Sequence, residues 1–327
     1  MNTIGIDVDS KYLVCQIRRQ GQATANRQFP NTPAGHRQFV RWATRDQQNA
    51  RVCMEATGVY SLAFARHLSD CEQIEVMVVN PKTIKHFATA RLARGKTDWM
   101  DAAVILEFLE RMEFKRWQPP PAATLQIQHI CRRIVQLQRE YTREENRHHA
   151  AVRLGDIGRI VANDTAVNQR HLQRRIARLE QTVAKLIDDI APLQHRLQQL
   201  TSITGIAAKT GPRILAELAT LPDDLRGPQW VAYAGLDPRP HESGTSINKP
   251  RRITKQGNSY LRNALYFPAL VAARHDPHVK AFYDHLIAKG KKPIQVILAI
   301  MRKLLLAIWG MFKNNENWEG SKFYRIT

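Results

Sequence analysis

Four carboxylates in this sequence occupy positions that are typical of metal-dependent phosphoryl transfer. Asp7 and Glu55 each end a short apolar run, and α/β proteins place functional groups at the ends of buried strands. Asp98 and Asp101 stand three residues apart in a stretch with helical periodicity, so both fall on one helix face. Converging carboxylates repel one another unless a divalent cation neutralises them, and such oxygen ligands favour Mg²⁺ or Mn²⁺ over zinc. The pattern therefore predicts a two-metal site, although each acid taken alone is also typical of a solvated surface group or a helix cap.

A serine and a run of cations form a second candidate site. Ser243 lies in the polar segment His241-Glu242-Ser243-Gly244-Thr245-Ser246. By itself, a serine beside a glycine is typical of a turn, and no G-x-S-x-G elbow accompanies it. The cations that follow are suited to phosphate contacts, since residues 249–262 include no acid, and a solvated basic face is the alternative. These cations are Lys249, Arg251, Arg252, Lys255 and Arg262.

The charge and composition of the chain favour a nucleic-acid partner. The 327 residues include 49 Lys and Arg against 29 Asp and Glu, which gives a net charge of +20 and a sequence pI of about 10.2. A hydrophobic content of 43% is typical of a folded protein and excludes a disordered one. The four cysteines form no C-x-x-C pair, which excludes a zinc knuckle and a disulfide framework and favours a reducing cytoplasm.

Two features bear on membranes and export. The N-terminus lacks the basic start and the apolar core of a signal peptide. The most apolar stretch, residues 293–312, carries Arg302 and Lys303, which a bilayer span would bury. It therefore predicts a buried core helix, and we expect a cytoplasmic protein.

Strand and helix patterns alternate through residues 1–115, which predicts an α/β domain. The predicted strands are residues 3–8, 12–18, 51–55 and 75–80, and the predicted helices are residues 35–44, 60–68 and 98–112. The turn Asp9-Ser10-Lys11 is too short for a crossover, so we expect the first two strands to pair as an antiparallel hairpin at one side of a mixed sheet. Asp9, at the start of this turn, is interpreted as a turn former.

The segment Trp117-Gln118-Pro119-Pro120-Pro121 marks a boundary, and helical heptads follow it in residues 119–200. The main series alternates steps of four and three, which predicts a coiled-coil seam. Its members are Leu172, Ile176, Leu179, Val183, Leu186, Ile190, Leu193, Leu197 and Leu200. Pro192 should divide the seam into two helical pieces after Asp189. Heptads do not identify the partner helix, so packing between protomers and packing within one chain are both open.

Several separate motifs together resemble one family. They are Gly5-Ile6-Asp7, Met54-Glu55-Ala56-Thr57-Gly58-Val59-Tyr60, Asn80-Pro81, Lys96-Thr97-Asp98-Trp99-Met100-Asp101-Ala102, Tyr233-Ala234-Gly235-Leu236-Asp237-Pro238, Glu242-Ser243-Gly244 and Leu261-Arg262-Asn263-Ala264-Leu265-Tyr266. The order and spacing of these motifs are similar to those of DEDD-type transposases of the insertion sequence 110 class. These are bacterial recombinases guided by a bridge RNA, and the pilin-gene invertases are related to them. The resemblance covers nearly the whole chain.

The resemblance implies a three-part protein. It implies a RuvC-like (RNase H-type) α/β domain in residues 1–118, a helical coiled-coil region in residues 119–200, and a mainly α-helical transposase domain in residues 201–327. In an RNase H-like sheet the first and fourth strands end side by side, which would bring Asp7 next to Glu55.

The resemblance also implies a chemistry. Asp7, Glu55, Asp98 and Asp101 would hold Mg²⁺, and Ser243 would attack a DNA phosphate to form a phosphoserine. In this family the acidic site of one protomer is completed by the serine of another, in a dimer or tetramer, on target and donor DNA selected by the guide RNA. The segment Thr245-Ser246-Ile247-Asn248-Lys249 departs from the Ser-Ser-x-Arg-Gly of relatives, which puts the phosphate contacts beside the serine in doubt.

Three alternatives stay open at this point. A RuvC-like nuclease or Holliday-junction resolvase would hydrolyse DNA with metal-activated water and would not need Ser243. A site-specific DNA invertase of the same family would use the same residues. A basic architectural protein would bind DNA or RNA without any activity.

Overall fold

The computed structural model describes residues 1–19, 22, 24–91, 97–239, 242–243, 247–248 and 252–326. The chain forms two compact units, Met1–Pro119 and Pro120–Thr327, which we call unit 1 and unit 2. The division into three domains at residues 118 and 200 stays a prediction.

Unit 1 contains a five-stranded mixed sheet. Its strands are β1 (Asn2–Val8), β2 (Tyr12–Arg19), β3 (Ala25–Pro30), β4 (Ala50–Glu55) and β5 (Ile74–Val79), in the order β3-β2-β1-β4-β5. The pairs β1–β2 and β2–β3 are antiparallel, whereas β4 is parallel to both β1 and β5. The predicted hairpin and mixed sheet are therefore confirmed, and the edge strand β3 was not predicted.

Helices cover both faces of this sheet. They are α1 (Pro33–Ala43), α2 (Val59–Ser69), α3 (Pro81–Ala90) and α4 (Asp98–Arg111), with a short 3₁₀-helix at Arg45–Gln47. Phe39 of α1 and Phe64 of α2 are fully buried in the core on one face. On the other face, Cys53 of β4 packs in a cluster with Ile84 of α3 and Ile105 of α4. The α/β architecture predicted for this part of the chain is confirmed.

The backbone of α4 lies directly against β1 at Gly5. A Cβ atom at Gly5 would overlap the backbone nitrogen of Leu106 and the backbone oxygen of Ala102. Near the other end of α4, Glu110 accepts a hydrogen bond from Thr3 Oγ1 at 3.0 Å and forms an ion pair with Arg18 at 2.9 Å. Because Thr3 precedes Gly5 while Glu110 follows Leu106, α4 runs antiparallel to β1. The first turn of α4 therefore lies toward the carboxyl end of β1.

Unit 2 is mainly α-helical, as predicted for the C-terminal part. Its helices are α5 (Ala122–Arg153), α6 (Arg159–Asp188), α7 (Ala191–Thr201), α8 (Gly211–Leu218), α9 (Gly227–Ala234), α10 (Ser259–His275), α11 (Pro277–Ala288), α12 (Pro293–Asn314) and α13 (Gly320–Phe323). A 3₁₀-helix at Gly155–Gly158 joins α5 to α6. Four two-residue strands lie between α9 and α10: β6 (Pro238–Arg239), β7 (Glu242–Ser243), β8 (Ile247–Asn248) and β9 (Arg252–Ile253).

The predicted seam lies in two helices that pack within this chain. Helix α6 ends at Asp188 and α7 begins at Ala191, so the predicted break near Pro192 is confirmed. Helices α5 and α6 form a hairpin in which Gln173 Nε2 donates to the Tyr141 hydroxyl at 2.9 Å. The seam residues Leu172, Val183, Leu193 and Leu200 are buried in the single chain. Packing within the chain is thus observed, and packing between protomers as a coiled coil stays a prediction.

The apolar helix α12 belongs to the core of unit 2. It is long and apolar enough to cross a membrane by composition alone. However, Ile300, Leu304 and Ile308 are fully buried against the other helices of the unit. Lys303 is held by cation–π contacts at 4.6–5.4 Å from the rings of Phe282, Phe323 and Tyr324. The prediction of a core helix is confirmed.

The contact at Gly5 gives a stability prediction. We expect Gly5→Ala to lower the free energy of unfolding of unit 1 by about 3 kcal/mol, because the methyl group must displace the backbone of α4. Gly310→Ala is the matched control, since no atom lies within 4 Å of a Cβ added there. This change in α12 should raise stability by up to about 1 kcal/mol, because alanine is the better helix former. Calorimetric unfolding of the full chain measures both, and equal stability of the two variants would contradict the close packing of α4.

Candidate active site

Asp7 and Glu55 are neighbours at the carboxyl end of the sheet. In the β1–β4 ladder Gly5 pairs with Cys53 and Ile6 pairs with Met54, so Asp7 and Glu55 are the next residues along two parallel strands. Adjacent strands lie about 4.8 Å apart. Because side chains alternate between faces, Asp7 shares the face of Gly5 and Glu55 shares that of Cys53, which is the face covered by α4. Both residues are half-buried.

Asp98 and Asp101 lie in the first turn of α4. Thr97 caps this helix, since its hydroxyl accepts a hydrogen bond from the Met100 backbone nitrogen at 3.2 Å. Carboxylates in a first turn are also stabilised by the helix dipole, so a local role accounts for them too. The antiparallel course of α4 orients this turn toward the carboxyl end of β1. Asp98 is exposed and Asp101 is half-buried.

The four carboxylates do not form one closed metal cage. In the part of the chain that the structure describes, no group of three or more His, Cys, Asp or Glu side chains could hold a metal ion. Mg²⁺ is usually bound by one or two carboxylates together with water and substrate phosphates. The adjacent pair Asp7 and Glu55 fits that manner of binding, because both are oxygen ligands on neighbouring strands. A cage made by the protein alone does not fit.

Asn31 links the turn that follows β1 to the first turn of α2. Its Nδ2 donates to the Asp9 backbone oxygen at 2.8 Å and to the Tyr60 backbone oxygen at 3.3 Å. Its Oδ1 accepts from His36 Nε2 at 2.8 Å. Asp9 is a turn former, as predicted, because its side chain accepts a hydrogen bond from the Ser10 backbone nitrogen. The carboxyl end of the sheet is therefore held by a hydrogen-bond network that the sequence did not indicate.

His36 is a buried histidine that favours the neutral state. Burial is the main cause and the nearby His67 the second cause that together lower its pKa from 6.5 to about 4. Its ring also packs on Phe64, with ring centroids 4.8 Å apart. A neutral ring can donate from Nε2 to Asn31, as the geometry requires.

Ser243 lies in strand β7, where it pairs with Ile247 of β8. The structure describes only the backbone of these two residues. Of the predicted nucleic-acid contacts, Lys249 and Arg251 lie outside the described residues, as do His241 and residues 244–246.

The chain that leads to and from Ser243 is held together by backbone hydrogen bonds. We call residues 233–239 and 252–258 the serine stem. Within it, Asn258 N donates to Tyr233 O at 2.6 Å, and Thr254 N donates to Asp237 O at 2.9 Å. Gly257 has a φ of 152°, and a Cβ there would overlap the Tyr233 carbonyl oxygen. The stem therefore requires glycine at this position.

A buried carboxylate fixes the serine stem to the helices. Glu217 of α8 is 2% exposed and accepts two hydrogen bonds from Arg132 of α5, at 2.8 and 2.7 Å. It also accepts from Gln128 Nε2 at 3.0 Å and from Asn258 Nδ2 at 2.6 Å. Asn258 in turn caps α10 through its Oδ1. These four residues join parts of the chain far apart in sequence, and no local pattern could have predicted them.

Three of the five predicted phosphate-binding cations are described. Arg252 and Lys255 are exposed residues of the serine stem. Arg262 is half-buried, and its Nη1 donates to the Ala234 backbone oxygen at 2.8 Å, which ties α10 to the end of α9. Its nearest role is therefore to brace the serine stem.

Comparison with known proteins identifies the family. A family profile described as "Transposase", for DEDD-type IS110 proteins, matches residues 4–155, which include Asp7, Glu55, Asp98 and Asp101. A second profile, described as "Transposase IS116/IS110/IS902 family", matches residues 197–284, which include Ser243. The chain belongs to the IS110 class of transposases.

Individual relatives agree with this assignment. The chain is 29% identical over 321 residues to the pilin gene-inverting proteins of Moraxella bovis and Moraxella lacunata, and each alignment covers 97% of both proteins. It is 35% identical over 154 residues to the insertion element IS900 uncharacterized 42 kDa protein of Mycobacterium paratuberculosis, which covers 43% of this chain and 38% of that protein.

The neutral state of His36 predicts a pH dependence of stability. The pKa of His36 is about 4 in the folded chain and 6.5 in the unfolded chain. The free energy of unfolding is therefore highest above pH 6.5 and decreases as the pH falls toward 4, because the unfolded chain takes up the proton first. We expect a loss of about 1 kcal/mol between pH 7 and pH 5, since solvent near the ring screens part of the full effect. His36→Gln should flatten this dependence, whereas His86→Gln, at an exposed residue of α3, should keep it. Urea unfolding at the two pH values measures the difference, and equal slopes in both variants would contradict the assignment.

Proposed function

We propose that this protein is a DNA recombinase that cuts and rejoins strands through a covalent phosphoserine at Ser243. The observation that carries the proposal is the adjacency of Asp7 and Glu55 on the face covered by α4. Asp98 and Asp101, in the first turn of that helix, are proposed to complete the site when DNA phosphates and Mg²⁺ are bound. Family membership supports the reaction class.

The topology of unit 1 supports a RuvC-like, RNase H-type assignment of this domain. Three antiparallel strands, β3, β2 and β1, are followed by two strands parallel to β1. The first and fourth strands end next to each other, as the resemblance requires. The metal-dependent chemistry proposed for the site follows from this arrangement and from the carboxylates at its end.

The proposed reaction exchanges one phosphoester bond for another. Ser243 Oγ forms a bond to the DNA phosphorus while the bond to the leaving deoxyribose oxygen breaks. The hydroxyl proton leaves Ser243, and the leaving oxygen takes up a proton. Mg²⁺, when bound, would lower the pKa of a coordinated hydroxyl and stabilise the charge on the phosphate oxygens. Because the phosphoserine retains an ester bond, the reverse attack by a different strand rejoins DNA without ATP.

Nucleic acids are the proposed partners. The net charge of +20 supports binding to target and donor DNA and to a structured guide RNA, which we propose on the resemblance to bridge-RNA-guided relatives. With these partners, the protein would work in the bacterial cytoplasm, associated with the nucleoid, as a homo-oligomer.

DNA inversion is a second candidate outcome of the same chemistry. It is favoured by the pilin gene-inverting proteins of Moraxella, which align with 97% of this chain. Inversion requires that both recombination sites lie on one DNA molecule in inverted orientation, whereas transposition moves an element to a new site. The two are distinguished by the product of a plasmid assay that carries both sites.

The role of Ser243 is tested by trapping the intermediate. We expect wild-type protein with Mg²⁺ and its DNA substrate to form a protein–DNA adduct that survives denaturing electrophoresis, and Ser243→Ala to abolish it. Ser246→Ala, in the same segment, is the matched control and should retain the adduct. If Ser243→Ala still cuts DNA and wild type forms no adduct, a nuclease that uses metal-activated water is the correct assignment. No cleavage under any Mg²⁺ condition would indicate an architectural protein.

A mixing experiment tests whether two protomers share one site. Asp7 lies in unit 1 and Ser243 in unit 2, so each variant removes one part and leaves the other intact. Ser243→Ala and Asp7→Ala proteins should each be inactive, whereas their mixture should recover activity. For a symmetric dimer the recovery should approach about a quarter of wild type, since half of the random dimers hold one intact site of two. No recovery in preparations that contain mixed oligomers would mean that each chain builds its own site.

A further inference from the structure

A cleft in unit 2 lies between the serine stem and α12. Its volume is about 570 Å³, which is within the range of sites that bind small molecules. Arg252 and Lys255 of the stem line one side. Lys291, two residues before the start of α12, and Arg302, within α12, line the other side. We call this the stem cleft.

The charged residues that the structure describes in the stem cleft are all cations. Among the described residues, its lining contains four cations and no carboxylate. In the part of the chain that the structure describes, no ion pair joins any of these four side chains to an acid. Four like charges around one cleft repel one another in the free protein, and an anion bound between them relieves that repulsion.

The floor of the stem cleft is apolar. Leu298 and Ala299 of α12 and Ile253 of the stem are half-buried residues of its lining. A floor of this kind suits the face of a sugar or a nucleobase, while the cations at the rim suit phosphates. The base faces of a duplex are hidden by stacking, so only an unstacked nucleotide can lay its base on this floor.

We propose that the stem cleft binds one or two unstacked nucleotides of a single-stranded nucleic acid. The sugar and base lie on the apolar floor, and the phosphates contact Lys291 and Arg302 opposite Arg252 and Lys255. The inference rests on the proposed function, since it gives a single strand a place beside the stem of the Ser243 segment. Single-stranded DNA and RNA share this chemistry, so the test has an arm for each.

Removal of the two α12-side cations tests the charge of the cleft. The full-length double variant Lys291→Ala/Arg302→Ala should bind an oligothymidylate of about ten nucleotides at least tenfold more weakly than wild type. The slope of log affinity against log salt should decrease by about 1.4, because each lost contact to a single strand accounts for about 0.7. The matched control is Arg175→Ala/Lys185→Ala, which removes the same two residue types from exposed positions of α6. Fluorescence anisotropy over a salt series measures both variants.

Filling the floor tests the base-binding part separately. Ala299→Leu should weaken oligothymidylate binding severalfold by steric exclusion, with an unchanged salt slope and unchanged binding of a blunt duplex. An oligouridylate of equal length distinguishes RNA from DNA. The polymer that the cleft prefers is the one whose affinity falls more between wild type and Ala299→Leu. Thermal unfolding establishes that each variant is folded before binding is compared.

The outcomes separate this inference from the proposed function. If the Lys291/Arg302 variant loses no more affinity than the α6 control, or if Ala299→Leu weakens duplex and single-strand binding equally, the stem cleft is not a nucleotide site. That result would leave a Ser243 adduct unaffected. Conversely, wild-type protein that forms no adduct but shows both expected binding losses would overturn the recombinase and retain the cleft.

Discussion

The close contact between Gly5 and the backbone of α4 determines how closely this helix approaches β1, and with it the arrangement of the four carboxylates near the carboxyl end of the sheet. A side chain at this position would hold the helix away from β1, and glycine allows the two backbones to meet. The ion pair between Arg18 and Glu110 joins the last turn of the helix to the neighbouring strand β2. As a result, the turn that carries Asp98 and Asp101 begins at the end of the sheet where Asp7 and Glu55 stand side by side. The proposed active site thus depends on a residue with no side chain.

Unit 2 positions the Ser243 segment by a different physical means. Glu217 is almost fully buried, and a buried carboxylate is costly unless hydrogen bonds satisfy it. Arg132, Gln128 and Asn258 supply four donors to its oxygens. Gln128 and Arg132 belong to α5 and Asn258 belongs to the serine stem, so the carboxylate of α8 joins both to one point. In unit 2, hydrogen bonds to a buried carboxylate hold the serine stem in place, whereas in unit 1 close backbone packing holds α4 in place.

Local patterns in the sequence were sufficient for the elements that carry the carboxylates. Apolar alternation predicted β1, β2, β4 and β5, and helical periodicity predicted α4 to within a residue. Strand β3 was missed because its sequence has Phe29 as its buried residue and exposed residues elsewhere, as an edge strand does. The networks of Asn31 and Glu217 could not be predicted, since hydrogen bonds between residues as much as 89 positions apart leave no periodic trace. The adjacency of Asp7 and Glu55 required the strand order, which the resemblance implied and local patterns did not.

The order of synthesis has a bearing on when the carboxylate end can form. Strand β1 is made before α4, so its face toward α4 stays uncovered until the ribosome has released the chain through Arg111. At roughly 5–20 residues per second, this interval lasts about 5 to 20 seconds. During that time Asp7 and Glu55 lack the helix that bears the other two acids. A nascent or truncated chain that ends before α4 therefore lacks half of the proposed carboxylate set, although β1 and β4 have already been made.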